Sequence, residues 1–244
     1  MNLLFKKFNP YFLAFFFSLY SANAFAVKPS VPLFMADYKL THNDIEIGHV
    51  ALSVTPSESG QYQLKSATET SGILAFVRDD DVLETSLFEL TEEHIRPLSY
   101  HYQQALGNKN KNISLQFNWQ KQTLTNSSQG QDWTLTLTKG VLDKALMQVA
   151  LMLDLNNPAT QVFRYKIADG GKLKTYAFSR LGAEKIDIGG TEYDTVKLAR
   201  QKGTKPLITY YWCAPELHNL PILLQREKSY GTFEMRLINV KFNN

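Results

Sequence analysis

The sequence has very little cysteine: Cys213 is the single cysteine among 244 residues. One thiol cannot close an intramolecular disulfide, so the folded chain must be stabilised by its core. His218 follows Cys213 in "YYWCAPELHNLPILL", and a thiol beside an imidazole is a nucleophilic arrangement. However, the residues just before Cys213 are aromatic, and two prolines in the loop after it indicate a connection between strands. We therefore predict a strand in which Cys213 is buried and unreactive.

Catalytic and metal-binding motifs are lacking as well. The sequence contains neither the G-x-S-x-G of an α/β-hydrolase nor the H-E-x-x-H of a metalloprotease. The turn "THND" offers His42, Asp44 and Glu46 as ligands, but turns favour Asn and Asp for backbone reasons and only one histidine is local. We predict no catalytic residue, no metal site and no cofactor.

No long block of like charge is present, and the longest is "DDD" at 79–81. The acidic and basic residues are scattered singly along the chain, which is typical of solvated faces. A chain without a basic run or a recognition motif is not expected to bind nucleic acid.

Long apolar runs are also scarce, and the notable one lies at the start of the chain. Lys6 and Lys7 precede an apolar run from Tyr11 to Tyr20, and small residues follow up to Ala26. This order is typical of a secretory signal peptide, and the run is shorter than the ~20 residues that a membrane-spanning helix needs. A single membrane anchor is the alternative. We expect cleavage after Ala26, which gives a signal peptide at 1–26, a single β-rich domain at 27–244, no transmembrane segment after cleavage and a periplasmic location.

Most of the mature chain shows the alternation of apolar and polar residues that is typical of strands. Strands are predicted at 33–40, 45–54, 62–70, 82–90, 97–106, 112–120 and 133–138, and at six further stretches after residue 160. Many strands separated by short turns predict one curved antiparallel sheet or open barrel.

One segment departs from this pattern. In "GVLDKALMQVALMLDLNNP" the apolar residues follow helical spacing and cover nearly the whole circumference. A helix that is apolar all round is normally buried, and "LNNP" supplies its end. We therefore predict one long apolar helix at about 140–155, packed on the concave side of the sheet.

The chain resembles a family of exported bacterial proteins called domain of unknown function 3108. The matching stretches are "YKLTHNDIEIGHVALSV", "ETSGILA", "IRPLSYHYQQ", "GVLDKALMQVALML", "VFRYKIADGGKLKTYAFSR", "IDIGGTEYDTVKLAR" and "YYWCAPELHNLPILLQ". The resemblance implies an exported domain built mainly from an antiparallel sheet, and it brings no catalytic residues. A weaker similarity, at the level of the fold, is to the open half-barrels of periplasmic lipoprotein carriers, and such a similarity alone assigns no function.

Three functions from different classes follow from these features. The first is binding of an apolar small molecule or lipid, such as an acyl chain, between sheet and helix, with the candidate lining residues Tyr100, Tyr102, Leu146, Val149 and Leu153. The alternative for these residues is that they fill a closely packed core. The second function is a non-catalytic structural or interaction role in the cell envelope. The third, the least supported, is an enzyme with dispersed catalytic residues.

Overall fold

The computed structural model describes residues 30–71, 81–91, 94–106, 109–202 and 208–243. The predicted signal peptide at 1–26 lies outside the described residues. Within them, strands dominate, and their bounds are β1 Phe34–His42, β2 Ile45–Pro56, β3 Tyr62–Thr70, β4 Val82–Leu90, β5 Ile95–Leu106, β6 Lys109–Asn118, β7 Thr123–Ser128, β8 Gln131–Thr136, β9 Val141–Leu142, β10 Val162–Ala168, β11 Leu173–Ile188, β12 Thr191–Lys202, β13 Ile208–Ala214, β14 Leu220–Lys228 and β15 Gly231–Phe242. An α-helix, α1, spans Leu146–Asp154.

The strands form one sheet in the order β8-β7-β6-β5-β4-β3-β2-β1-β15-β14-β13-β12-β11-β10-β9. Its described end strands, β8 and β9, do not pair with each other, so the sheet is open. The predicted β-rich fold is thus confirmed, with one difference: β9 pairs with β10 in parallel, which makes the sheet mixed.

Strand β1 illustrates how the sequence selects the inner face of the sheet. Phe34, Ala36 and Tyr38 are buried, whereas Met35 between them is 46% exposed. Because successive side chains of a strand point to opposite faces, the apolar residues form one continuous inward row. The buried Tyr38 hydroxyl donates to the Pro221 carbonyl of β14, at 3.0 Å, so its polar end is satisfied inside the core.

The helix is much shorter than predicted. The apolar run is divided, because Val141 and Leu142 form β9 beside β10 instead of the first helical turn. The Asp143 carboxylate then accepts hydrogen bonds from the backbone N–H groups of Ala145 and Leu146, both at 2.9 Å. These are the unpaired donors of a helix start, so Asp143 fixes the beginning of α1. The prediction of a helix over about 140–155 was therefore wrong in its length.

The helix and both halves of the sheet share one core. Fully or nearly fully buried side chains of α1, including Leu146, Val149 and Leu151, pack in the same cluster as Leu52 and Leu64 from one half and Phe178 from the other. Strands so far apart in the sheet order meet one cluster only if the sheet curls around it. A second, smaller cluster joins β5 to β7 with Val141 of β9 and Ala168 of β10. The two ends of the sheet therefore approach each other through side chains.

Candidate functional site

A cavity of about 520 Å³ lies between the inner face of the sheet and the N-terminal part of α1. Strands β2 to β4 form one side of its wall and strands β11 to β14 the other. The described lining residues are Leu52, Leu64, Ser66, Glu84, Lys144, Ala145, Met147, Gln148, Tyr176, Phe178, Arg200, Thr209, Tyr211 and Arg226. The volume falls within the roughly 300–1,000 Å³ of small-molecule pockets.

The inner face changes from apolar to charged along the strands that reach this cavity. On β12, Leu198 is fully buried in the core, and Arg200 occupies the next position on the same face. On β14, Leu224 packs against the core, and Arg226 follows it two residues later. The inner face of the curled sheet thus forms an apolar core along one part of these strands and a cavity with cationic groups along the next part.

Arg200 is held in place by its neighbours. Its guanidinium carbon lies 5.6 Å from the ring centroids of both Tyr176 and Tyr211, and one of its N–H groups donates to the Thr209 hydroxyl at 3.2 Å. Stacking of a guanidinium on aromatic rings is favourable and restricts its orientation. Arg200 is therefore positioned before any ligand binds.

Arg226 lies close to Arg200 across β13. Arg200 pairs with Thr209, and Tyr210 pairs with Gln225, so the register places Arg226 on the far side of Thr209. Since neighbouring strands are about 4.8 Å apart, the two arginine backbones are separated by about 10 Å. Long side chains from these two positions can reach a common point.

Two polar atoms of the cavity wall are buried without a hydrogen-bond partner among the described residues: Arg226 Nε and Gln148 Nε2. Both are donors. A buried donor without a partner carries a desolvation penalty of about 1–3 kcal/mol. Both atoms therefore need a hydrogen-bond acceptor.

The opposite wall carries one carboxylate, Glu84 on β4. The Tyr100 hydroxyl donates to Glu84 Oε1 at 2.5 Å. Burial, and then the adjacent Glu84, raise the pKa of Tyr100 well above its ordinary value, so the phenol stays protonated and remains a donor. Glu84 is thereby already bonded within the protein.

Asp143 lies at the junction of helix and sheet and is fully buried. The Ser86 hydroxyl of β4 donates to Asp143 Oδ2 at 2.5 Å, while Oδ1 accepts the helix N–H groups. Burial raises the pKa of Asp143 from 3.8 to about 7, although its three hydrogen bonds oppose this shift. One side chain therefore connects the start of α1 to the half of the sheet that is distant from it in strand order.

None of the five predicted lining residues belongs to the described wall of the cavity. Leu146 and Val149 are buried in the core, and Leu153 borders a separate surface groove. Tyr100 is buried and bonded to Glu84, and Tyr102 is half-buried, with its hydroxyl donating to Gln104. Their part in ligand binding stays a prediction. The helix side chains that reach the cavity are Met147 and Gln148.

Sequence reasoning missed the cationic part of the wall. Arg200 and Arg226 each follow an inward apolar residue, at "KLAR" and "LLQR". A charged residue that continues an inward apolar row is a usable signal, because strand alternation predicts its side. The scattered distribution of charge predicts instead that both lie on solvated faces.

Cys213 lies on β13 with no exposed surface, which confirms the predicted buried strand. Burial raises the pKa of its thiol far above its ordinary value, so almost no thiolate forms near neutral pH. His218 lies in the turn before β14, with its ring 4.8 Å from that of Phe242.

We expect the native protein not to react with a thiol reagent at neutral pH over minutes, and the unfolded protein to react fully. Ellman's reagent with and without denaturant checks this, and Cys213→Ser is the matched blank. Rapid labelling of the folded protein would contradict the prediction.

Two candidate features from the sequence can be compared with the described structure. In the β1–β2 turn, Asn43 and Asp44 adopt left-handed backbone conformations, with φ of 49° and 65°. Asn43 Oδ1 also accepts the Thr232 N–H at 2.9 Å, so this turn has a structural role.

Within the described ranges, no group of three or more His, Cys, Asp or Glu side chains is arranged to hold a metal. Nor does any helix in those ranges have the length and apolarity needed to span a membrane.

An open, strongly curled sheet with a helix packed inside it defines a β-barrel-like fold. The chain is similar in fold to a crystal structure from Brucella abortus described as a beta-barrel-like protein of domain of unknown function DUF1849. The TM-score is 0.60 at 8% sequence identity, and the match covers 88% of this chain and 100% of the other. This likeness concerns the fold alone.

The chain belongs to the family described as protein of unknown function (DUF3108), whose model matches residues 37–238. This confirms the resemblance drawn from the sequence. No curated protein matches the chain.

Proposed function

We propose that the mature chain, residues 27–244, is a periplasmic protein that binds an apolar small molecule, such as an acyl chain or lipid, between the sheet and the helix. The observation that carries the proposal is the cavity of about 520 Å³ enclosed by both halves of the sheet and by α1. Leu52, Leu64, Met147 and Phe178 supply apolar contacts in its wall. Methionine adapts to ligands of irregular shape, which suits Met147 at this position.

The proposal assigns no catalytic step to the cavity. Its described polar lining consists of arginine, lysine, glutamine, glutamate, serine, threonine and tyrosine side chains. These groups can orient a ligand through hydrogen bonds and charge, while the apolar side chains of the wall contact its hydrocarbon part.

The alternative is a non-catalytic structural or interaction role in the envelope. The feature in its favour is β8, an edge strand of the described sheet that is exposed along most of its length and carries Trp133 at its surface. An exposed edge strand can pair with an extended segment of another protein.

Native mass spectrometry of protein exported with its own leader and purified from the periplasm tests the proposal. We expect a polypeptide that begins at Val27 and carries an additional mass, which denaturation releases as an amphiphilic molecule. Full-length protein in carbonate-washed membranes would contradict the export part, and the absence of any adduct would favour the envelope role.

A matched pair of variants locates the adduct. Ser66 lines the cavity, and Lys65, its neighbour on β3, is exposed on the other face. We expect Ser66→Trp to remove the adduct and Lys65→Trp to retain it, provided that both variants melt cooperatively. An adduct that survives in folded Ser66→Trp protein would place it outside the cavity.

A further inference from the structure

We propose that the cationic part of the cavity binds the anionic head group, a carboxylate or phosphate, of an amphiphile whose chain extends into an adjoining apolar groove. This inference rests on the proposed function and specifies the chemical class of its ligand.

The charge balance of the wall favours an anion. Arg200, Arg226 and Lys144 line the described cavity together with a single carboxylate, Glu84. Within the described part of the chain, no carboxylate lies within ion-pair distance of either arginine. Glu84 is bonded to the Tyr100 hydroxyl. The described wall therefore has a net positive charge that no described carboxylate neutralises.

The unpaired atoms lead to the same conclusion independently of charge. Arg226 Nε and Gln148 Nε2 are buried and lack a partner among the described residues. Both can only donate, so they would bind acceptor oxygens and would not bind a metal cation or an ammonium group. A carboxylate or phosphate supplies several acceptor oxygens on one group.

The geometry of the arginines suits one shared anion. Arg200 is fixed by Tyr176, Tyr211 and Thr209, and Arg226 approaches from the other side of Thr209. Both guanidinium charges act on the buried Tyr211 hydroxyl, since each opposes the rise of its pKa that burial causes. Planar guanidinium groups bind carboxylates and phosphates through paired N–H bonds, so two of them around one point form a clamp.

A second cavity indicates where the hydrocarbon chain of the ligand would lie. A smaller groove of about 160 Å³ shares Thr209 and Arg226 with the main cavity. The rest of its wall is mostly apolar and consists of Leu40, Thr41, Ile47, Leu224, Gln225, Phe233, Glu234 and Met235. Arg226 therefore lies where a charged space meets an apolar one, as required for a ligand with an anionic head and a hydrocarbon chain.

Binding of four probes tests this inference: decanoate, decyl phosphate, decanol and inorganic phosphate, each titrated calorimetrically into delipidated mature protein at low salt. We expect decanoate and decyl phosphate to bind at least tenfold more tightly than decanol, and inorganic phosphate to bind more weakly than decyl phosphate. In the variant Arg200→Gln/Arg226→Gln the preference for the charged probes should fall below twofold, while decanol still binds.

Two control variants keep the test decisive if the double variant folds poorly. Arg226→Lys retains the charge and should retain most of the preference. Arg164→Gln removes an exposed arginine of β10 that lies outside the described walls of both the cavity and the groove, and it should leave the preference unchanged.

The possible results separate the two proposals. Equal binding of decanol and decanoate to the wild-type protein would overturn the anionic head group and leave the proposed function intact. Binding of inorganic phosphate alone, with no decyl probe bound, would contradict both the amphiphile and the proposed function. Loss of the preference in Arg164→Gln as well would show a general charge effect and overturn the clamp.

Discussion

Replacing Leu146 with alanine is expected to lower the free energy of unfolding by about 2–5 kcal/mol, the usual effect of truncating a buried leucine. Leu146 has no exposed surface and packs in the cluster that joins the helix to both halves of the sheet. The change therefore removes buried apolar contacts and leaves a space that a closely packed core fills only in part.

Chemical denaturation of wild type and Leu146→Ala measures this difference. Leu181→Ala is the matched control, because Leu181 is 53% exposed and its truncation should alter stability by less than about 0.5 kcal/mol. Since Leu146 lies in the core and not in the cavity wall, the loss should appear in both ligand-bound and stripped protein. Equal stabilities of the two leucine variants would show that the helix is not packed as described.

Replacing Asp143 with asparagine is expected to stabilise the protein above about pH 7 and to have little effect near pH 4.5. The folded-state pKa of about 7 lies above that of an unfolded aspartate, so the folded state holds the proton more tightly. The stability that the protonated Asp143 carboxyl contributes is fully present below about pH 4 and is lost as the pH rises towards 7. The loss reaches up to about 4 kcal/mol, at 1.36 kcal/mol per pKa unit. The neutral amide avoids this loss, and its oxygen can still accept the N–H groups of Ala145 and Leu146.

Thermal and chemical unfolding of wild type and Asp143→Asn from pH 4.5 to 8 provides the measurement. Asp143→Ala is the control for the hydrogen bonds, because it leaves two helix N–H groups and the Ser86 hydroxyl without their partner. We expect it to be less stable than wild type at pH 4.5 by about 2 kcal/mol. A wild-type stability that rises from pH 4.5 to 7 while that of Asp143→Asn stays level would refute the buried, protonated carboxyl.

The sequence predicted local structure well where one face of a strand is consistently apolar. Strands β3 and β4 have the bounds that were predicted, 62–70 and 82–90. Strand β7 was missed, because "TLTNSS" has little apolar surface and much turn-like composition. It forms because β6 and β8 pair with it on either side, a contribution that its own residues do not reveal.

The error in the helix has a related cause. Val141 and Leu142 fit helical spacing and are buried, as predicted. Their backbone groups pair with Lys166 and Ile167 of β10, which lie far along the chain. Periodicity indicates that such residues face a core, but it does not say whether the backbone partner is local or distant.

The candidate site could not be assembled from the sequence because it depends on the curl of the sheet. Glu84 and Arg200 line one cavity although many strands separate β4 from β12 in the sheet. The alternation of side chains along a strand predicts only whether Glu84 or Arg200 lies on the same face as the other residues of its own strand. It does not show which charged residues of distant strands meet, so the arginine pair emerged only from the three-dimensional fold.

Methyl NMR of the mature protein labelled at methionine tests whether a ligand binds between the sheet and the helix. Met147 lines the cavity, Met235 lines the apolar groove, and Met35 points outward from β1. On addition of decanoate, we expect the Met147 and Met235 methyl signals to shift and the Met35 signal to stay unchanged. The shifts should be smaller in Arg200→Gln/Arg226→Gln at the same ligand concentration. Unchanged Met147 and Met235 signals, or a shift of Met35 alone, would contradict binding between the sheet and the helix.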